Sequence, residues 1–345
     1  MEVIFSHQTV IGGPGIGSIA YQTTLALHKA GFLKKAVCEA VMRDILKNIP
    51  ENKFLTLGSS NIREYHIKDL FFDSVASLFD FKCDIFHGWG GASLHQMVSS
   101  GKAKKIIEGS STHPNYRLKL KNLGINIHPI TYKRMMAEFG LADCIFCPSE
   151  FARETYEDEK LSTMLVPYGV DLDKFKPNPV KHNNFRILFI GDNFNRKGLP
   201  ELFAAWKNLD LKNAELWIRA DVDIPVNDRY NVKVLERTLD TSKYYNECDV
   251  FSMPSFEEGL ALVLSESMAC GIPVITTKQS GWFGQDGKHG FLIKPDPDDI
   301  ARAIQYYYDN PDEAKKHGRA GRLLAEKYSW ENYAQTLISS YSKLM

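Results

Sequence analysis

Two acids eight positions apart, Glu258 and Glu266, stand in the segment PSFEEGLALVLSESMACGIPVITT, Pro254–Thr277. The preceding CDVFSMPS reads as a strand ending at Pro254, Glu257-Glu258-Gly259 as a turn, and the chain from about Leu260 as a helix that stops at Gly271, a good helix terminator. Free backbone N–H groups at that helix start point toward the carboxyl end of the strand, where ligands bind in open α/β sheets. Such a terminus favours an anion by about 0.3–1 kcal/mol when exposed and by up to ~2 kcal/mol when partly buried. On a continuous helix the two acids lie about 80° apart, so they can face one cleft without touching. An anion does not explain two carboxylates beside it. A ligand that also carries hydroxyls does, because a carboxylate accepts hydrogen bonds from a sugar diol. Spacing alone leaves a plainer alternative equally open, in which Glu258 is a helix-start acid favoured by the dipole and Glu266 is a solvated helix residue.

Cations stand at a second junction, FRILFIGDNFNRKGLPELFAAW. A strand ends at Gly191, a polar loop follows, and Arg196-Lys197-Gly198 opens a helix. Paired cations there suit a diphosphate, whose roughly two charges exceed what a helix terminus balances. Glycine dominates a third, GGPGIGSIAYQTTLAL, where Gly13, Gly15 and Gly17 allow tight turns and close ligand approach. The spacing is not a clean GxGxxG, and a plain strand–turn–helix connection explains it as well. His113 in KKIIEGSSTHPNY and His87 in CDIFHGWGG each fall at a strand end. Asp171-Leu172-Asp173 and Asp221-Val222-Asp223 have the DxD pattern that can hold a divalent metal on a diphosphate, but short acidic patterns occur by chance, and with Arg196 and Lys197 available we expect no metal. Cys144 and Cys147 form a CxxC inside the apolar run LADCIFCPS, which fits a buried strand better than a zinc site lacking a second pair.

The elements that must position these residues alternate short β-rich runs with helical stretches. VIFSH, CDIFHGW, KKIIEGSS, DCIFCPS and STMLVPY are followed, past a Pro-, Gly-, Asp- and Asn-rich seam at Pro167–Asn183, by FRILFIG, AELWIRA, NVKVLE, CDVFSMPS and IPVITT. Near-continuous apolar strands separated by helices argue for two parallel α/β units. A length of 345 residues suits two domains, and 44% hydrophobic against 24% charged residues excludes wholesale disorder. Forty-two basic residues balance forty-two acidic ones, which argues against a dominant nucleic-acid-binding role and leaves a local anion site open. No apolar run reaches the ~18–20 residues of a membrane span. MEVIFSHQTV lacks the basic n-region of a secretory signal and reads as a first strand. Six scattered cysteines without a framework spacing suggest reduced thiols and a cytoplasmic protein.

EGLALVLSE, set in PSFEEG…ESMACGIPV, resembles the E-x7-E signature of retaining glycosyltransferases with the GT-B fold, and is most similar to their family 4. The FIGDNFNRKG loop, ADCIFCPSEFARETY and VPYGVDLDKFKP resemble that family too. The matches cover most of Lys104–Trp330, while Cys38–Phe81 matches nothing specific. The resemblance implies two doubly wound Rossmann-like domains facing each other across a cleft. By that resemblance residues 1–170 would form the acceptor-side domain, 171–329 would bind the nucleotide sugar, and a helix at about 330–345 would pack back on the first. It implies transfer of a sugar from a UDP- or GDP-sugar to an acceptor hydroxyl with retention, and neither cofactor nor metal. By the same resemblance Glu258 would sit by the donor sugar and Glu266 at the ribose. Backbone amides of Gly259, Leu260, Ala261 and Leu262 would meet the sugar and diphosphate. Arg196 and Lys197 would grip the phosphates, Gly13, Gly15 and Gly17 would approach the diphosphate, and His113 would contact the donor sugar. Many members carry Arg directly after the strand-ending glycine, where this chain has Asp192; Arg196 would supply that charge, or phosphate binding would be weaker. The donor base, and whether the acceptor is a glycan, a lipid or a small molecule, are left open. Lys29, Lys34, Lys35 and the run Arg117–Asn122 are the hints of peripheral membrane contact. A non-catalytic sugar-nucleotide binding protein and a GT-B-like epimerase are the alternatives. A nicotinamide dehydrogenase lacks the acid its ribose would need after the second strand.

Overall fold

A computed structural model describes residues 1–58, 62, 64–220, 230–238 and 240–345. Asp221 and Asp223 lie outside the described residues. The chain divides into two units: Met1–Leu118 with Asn126–Pro167 and Glu331–Met345, and Lys119–Ile125 with Tyr168–Trp330. The basic run Arg117–Asn122 is therefore split between them.

The first unit is built on seven strands: β1 Val3–Ile11, β2 Leu33–Val41, β3 Phe54–Thr56, β4 Ile85–Trp89, β5 Lys104–Glu108, β6 Cys144–Cys147 and β7 Thr163–Leu165. They pair in parallel in the order β3-β2-β1-β4-β5-β6-β7. The second unit carries β8 Phe185–Ile190, β9 Ala214–Arg219, β10 Val232–Val234, β11 Val250–Met253, β12 Val274–Thr276 and β13 Gly290–Leu292. These are parallel in the order β10-β9-β8-β11-β12-β13. Each order starts in the middle, runs to one edge, then returns to fill the other side, which is the doubly wound arrangement. The central strands are buried on both faces, as in CIFC and VFSM, where every residue is buried.

The winding reverses between β1 and β4 in the first sheet and between β8 and β11 in the second. Connections leave the sheet there in opposite directions, and the carboxyl ends of the two strands stand apart from any crossing helix. A crevice opens at that point. The strands β8 and β11 are held in register through Ile187–Val250 and Leu188–Phe251. Beneath them Leu188, Phe189, Phe251, Leu264 and Met268 are fully buried, and each such side chain contributes about 1.5–3 kcal/mol.

The last helix, Trp330–Leu344, is amphipathic and completes the first unit. The Tyr341 hydroxyl meets Nδ1 of His87 at 2.6 Å, and the Tyr333 hydroxyl meets the Thr23 hydroxyl at 2.6 Å. His87 is thus a core residue: its ring is fully buried, and Nε2 lies 3.2 Å from the Glu108 carboxylate. Cys144 and Cys147 are free thiols buried in β6. Among the described residues no helix is long and apolar enough to cross a membrane.

Candidate functional site

Three loops meet at the reversal point of the second sheet. The first follows β8. Asn193 caps a single helical turn, Phe194–Lys197, by accepting from the Arg196 N–H, and Gly198 in the left-handed region separates it from the helix Leu199–Lys207. Arg196-Lys197-Gly198 therefore does not open the long helix, contrary to the expectation from sequence. The two cations close a turn of their own, because a Cβ on Gly198 would stand 2.1 Å from the Pro254 carbonyl and only glycine lets the loops approach so closely.

The second loop follows β11, and its backbone is stitched to the first. The Phe256 N–H and the Ser255 hydroxyl both donate to the Arg196 carbonyl, at 2.8 and 2.9 Å. The third follows β12. The Thr277 hydroxyl donates to the Ser255 carbonyl, and the Glu258 N–H donates to the Gln279 carbonyl at 2.8 Å. Glu258 is thereby fixed by its own main chain.

Its side chain receives both cations. Lys197 Nζ donates to Glu258 Oε1 at 2.7 Å, and Arg196 Nη1 lies 2.8 Å from Oε2. Arg196 also donates to the Glu257 carbonyl at 2.8 Å and lies 3.4 Å from the Glu257 carboxylate. The Lys197 stem lies over Gly191, where a Cβ would be 2.2 Å from Lys197 Cδ. Burial pushes the Glu258 carboxyl upward, but Lys197 and Arg196 outweigh it and hold the group below its ordinary value. Burial likewise works against the Arg196 guanidinium, and Glu258 and Glu257 hold it charged. The four side chains sum to zero charge. The excess of positive charge expected from Arg196 and Lys197 is thus already matched within the protein, by Glu258 and by a second acid, Glu257, that sequence reading had assigned to a turn. Asp192, after Gly191, lies 3.4 Å from Arg219 at the end of β9.

The helix after the second loop begins at Leu262, two residues later than the sequence suggested, and runs to Ala269. Ala261 stays extended because its N–H donates to the Ser280 carbonyl at 3.1 Å, which holds Gly259–Ala261 against the third loop. The N–H groups of Leu260, Leu262 and Val263 have no partner among the described residues. Glu266 sits on the second turn of this helix. The buried Tyr245 hydroxyl donates to its Oε2 at 2.9 Å. Burial raises the Glu266 carboxyl, and the Tyr245 hydrogen bond opposes that rise. Glu266 and Glu258 share no side-chain partner among the described residues. Sequence reading passed over Tyr245; the signal available was an aromatic in YYNE just before the strand CDVFSM.

The other candidates lie in the first unit. Gly15 adopts φ 61° and caps the helix Ile16–Lys29, while a Cβ on Gly17 would meet the Val10 carbonyl at 2.6 Å. Gly13 donates its N–H to that same carbonyl. The loop's own turn thus accounts for these glycines. His113 is fully buried between Phe139 and Tyr156. Its Nδ1 accepts from the Asn115 N–H at 3.2 Å, which leaves the proton on Nε2, and Nε2 has no partner among the described residues. Burial holds this imidazole below its ordinary value. Asp171 accepts from the N–H groups of Asp173 and Lys174, so this DxD is a turn cap.

Residues 184–310 match the family described as Glycosyl transferases group 1. This segment holds all three loops. Sucrose-phosphate synthase from Thermosynechococcus elongatus is similar over 100% of this chain and 99% of its own, with a TM-score of 0.78 at 20% identity. The fold is GT-B. A second GT-B structure, HepE of Anabaena solved in complex with UDP, is similar over 99% of this chain and 100% of its own, with a TM-score of 0.74 at 16% identity. The D-inositol 3-phosphate glycosyltransferase of Arthrobacter sp. is 34% identical over 284 residues, 73% of this chain and 65% of that protein. The chain spans 60% to 67% of the length of four curated relatives that it matches. The protein is thus related to glycosyltransferases, and its GT-B reversal point is where Lys197, Arg196 and Glu258 converge.

Proposed function

We propose that the protein is a retaining glycosyltransferase of family 4. It moves a sugar from a UDP- or GDP-sugar to an acceptor hydroxyl without a metal, in the cytoplasm, on a glycan, lipid or small-molecule acceptor. The observation that carries the proposal is the convergence of Lys197 and Arg196 on Glu258 across two loops of the Glycosyl transferases group 1 segment. A nucleotide diphosphate brings about two negative charges to cations that Glu258 already occupies. The diphosphate takes over Lys197 and Arg196, and the N–H groups of Leu260, Leu262 and Val263, without a partner among the described residues, add donors at the start of the following helix. Glu258, released from one or both cations, becomes an acceptor for hydroxyls of the attached sugar. Glu266 accepts from the ribose hydroxyls.

The reaction in this reading is a same-face substitution. The bond from the anomeric carbon to the diphosphate oxygen breaks, and the bond to the acceptor oxygen forms. The acceptor proton passes to the departing diphosphate oxygen. Lys197 and Arg196 stabilise the charge that develops there. Gly13, Gly15, Gly17 and His113 enter this reading through the family resemblance alone.

The test is a thermal-shift screen against UDP- and GDP-sugars, because a bound donor stabilises the folded state by mass action. Nuclear magnetic resonance of the product with the active donor, in the presence of EDTA, then reads the anomeric configuration. Inversion would remove the retaining mechanism, loss of activity in EDTA the metal independence, and conversion of the donor without acceptor would point to an epimerase.

A further inference from the structure

Glu266 is held in an unusual way for an acid on a helix. One oxygen, Oε2, accepts from the Tyr245 hydroxyl at 2.9 Å, and no other hydrogen-bond partner of the carboxylate exists among the described residues. The phenol that pins it is fully buried in the short helix Ser242–Asn246. Its ring is wedged between Phe175 and Phe251, at centroid distances of 6.0 and 5.6 Å. One side of the wedge, Phe251, stands on β11, the strand whose carboxyl end carries the Glu258 loop. Tyr245 therefore has one rotamer and one acceptor. A carboxylate fixed through one oxygen presents the other in a constant direction, whereas an unpinned glutamate samples several rotamers and loses that freedom on binding. Burial alone would favour the protonated acid, and a donor hydrogen bond to the carboxylate favours the ionised form, which accepts at both oxygens.

We propose that Tyr245 is a positioning residue, which orients the Glu266 carboxylate so that the site binds nucleotides carrying ribose hydroxyls in preference to those without them. The proposal rests on the reading of Glu266 as the ribose contact. Tyr245 does not touch the nucleotide; it acts through Glu266.

The experiment is calorimetric titration of wild type, Tyr245→Phe, Glu266→Ala and the double variant with UDP and 2′,3′-dideoxy-UDP, and with the guanosine pair. Wild type that binds ribose and dideoxyribose forms equally in both pairs overturns the ribose reading itself, and the proposal with it. With wild type preferring the ribose form, Tyr245→Phe is expected to weaken that form about tenfold and the dideoxy form less than twofold. In the Glu266→Ala background the same Tyr245→Phe change is expected to have no further effect. An equal loss for both forms, no loss for either, or an undiminished effect without Glu266 overturns the positioning role and leaves the ribose reading standing. Should Tyr245→Phe fail to fold, Tyr245→Met, which fills the wedge without a donor, takes its place under the same criteria.

Discussion

Lys197 Nζ and Glu258 Oε1 stand 2.7 Å apart, and through this contact the loop after β8 grips the loop after β11 where the sheet order reverses. The stem of the lysine is packed over the Gly191 main chain. Replacing Lys197 by Ala leaves Arg196 as the sole cation on Glu258 among the described residues. Transfer is expected to fall about 10²–10³-fold, the usual cost of removing one preorganised donor to developing charge. Initial rates with the active donor, beside a circular-dichroism spectrum, check this. Turnover within a factor of three of wild type would remove Lys197 from the mechanism.

Glu258→Gln should act with opposite signs on two measurements. It removes one of the two acids that cancel Arg196 and Lys197, at nearly constant shape. Free UDP or GDP is expected to bind about three- to tenfold more tightly, because the diphosphate no longer competes with a carboxylate for both cations. Sugar transfer should drop at least about a hundredfold, since the hydroxyl acceptor is weakened. Calorimetry and rate assays read the two effects separately. Weaker diphosphate binding would show that Glu258 supports the cations rather than competing for the anion.

Gly198→Ala should destabilise the second unit. The position has φ 72°, and the new methyl would stand 2.1 Å from the Pro254 carbonyl. Left-handed strain costs about 1–2 kcal/mol before the clash is counted. Thermal unfolding is expected about 5–10 °C lower. Gly140→Ala is the control: it lies at the end of the helix Pro129–Leu141, has no atom within 4 Å of the new methyl, and should leave the midpoint unchanged or slightly raised.

Acid should weaken the fold through His7. Burial, with His87 nearby, pushes this imidazole down to about 3, whereas in the unfolded chain it titrates near 6.5. Between those values the unfolded state binds the extra proton, so stability rises with pH across this window and is lost as pH falls below about 6.5. One such group contributes a slope of up to about 1.4 kcal/mol per pH unit. Urea unfolding of wild type and His7→Gln at pH 5 and pH 7 measures it. The variant should show the smaller difference, and equal slopes would place the acid sensitivity elsewhere.

The two parallel α/β units and the two central loops were legible in the sequence because β1, β4 to β6, β8, β9 and β11 are short apolar runs bounded by glycine, proline or charge. β2 was not. LKKAVCEAV carries Lys34, Lys35 and Glu39 among its apolar residues, and only the fold shows where they go: the two lysines reach the carbonyls of Lys82 and Asn52, and Glu39 pairs with Lys68 at 2.8 Å. β13 was hidden by its brevity and by Gly290, which lies against the Val274 main chain. At the site, residue types and spacing identified Glu258, Glu266, Arg196 and Lys197. They could not reveal that Glu258 holds both cations or that Glu266 leans on Tyr245, because those pairings join positions 61 and 21 residues apart through side-chain rotamers.

The seating of Tyr333 and Tyr341 against Thr23 and His87 has a consequence for biosynthesis. A ribosome releases the first 167 residues long before residues 331–345 exist, and the intervening stretch takes roughly ten to thirty seconds to translate. Throughout that delay the nascent amino-terminal half has a gap over an imidazole and a threonine that will end up dry. Its maturation is postponed until residues 331–345 emerge.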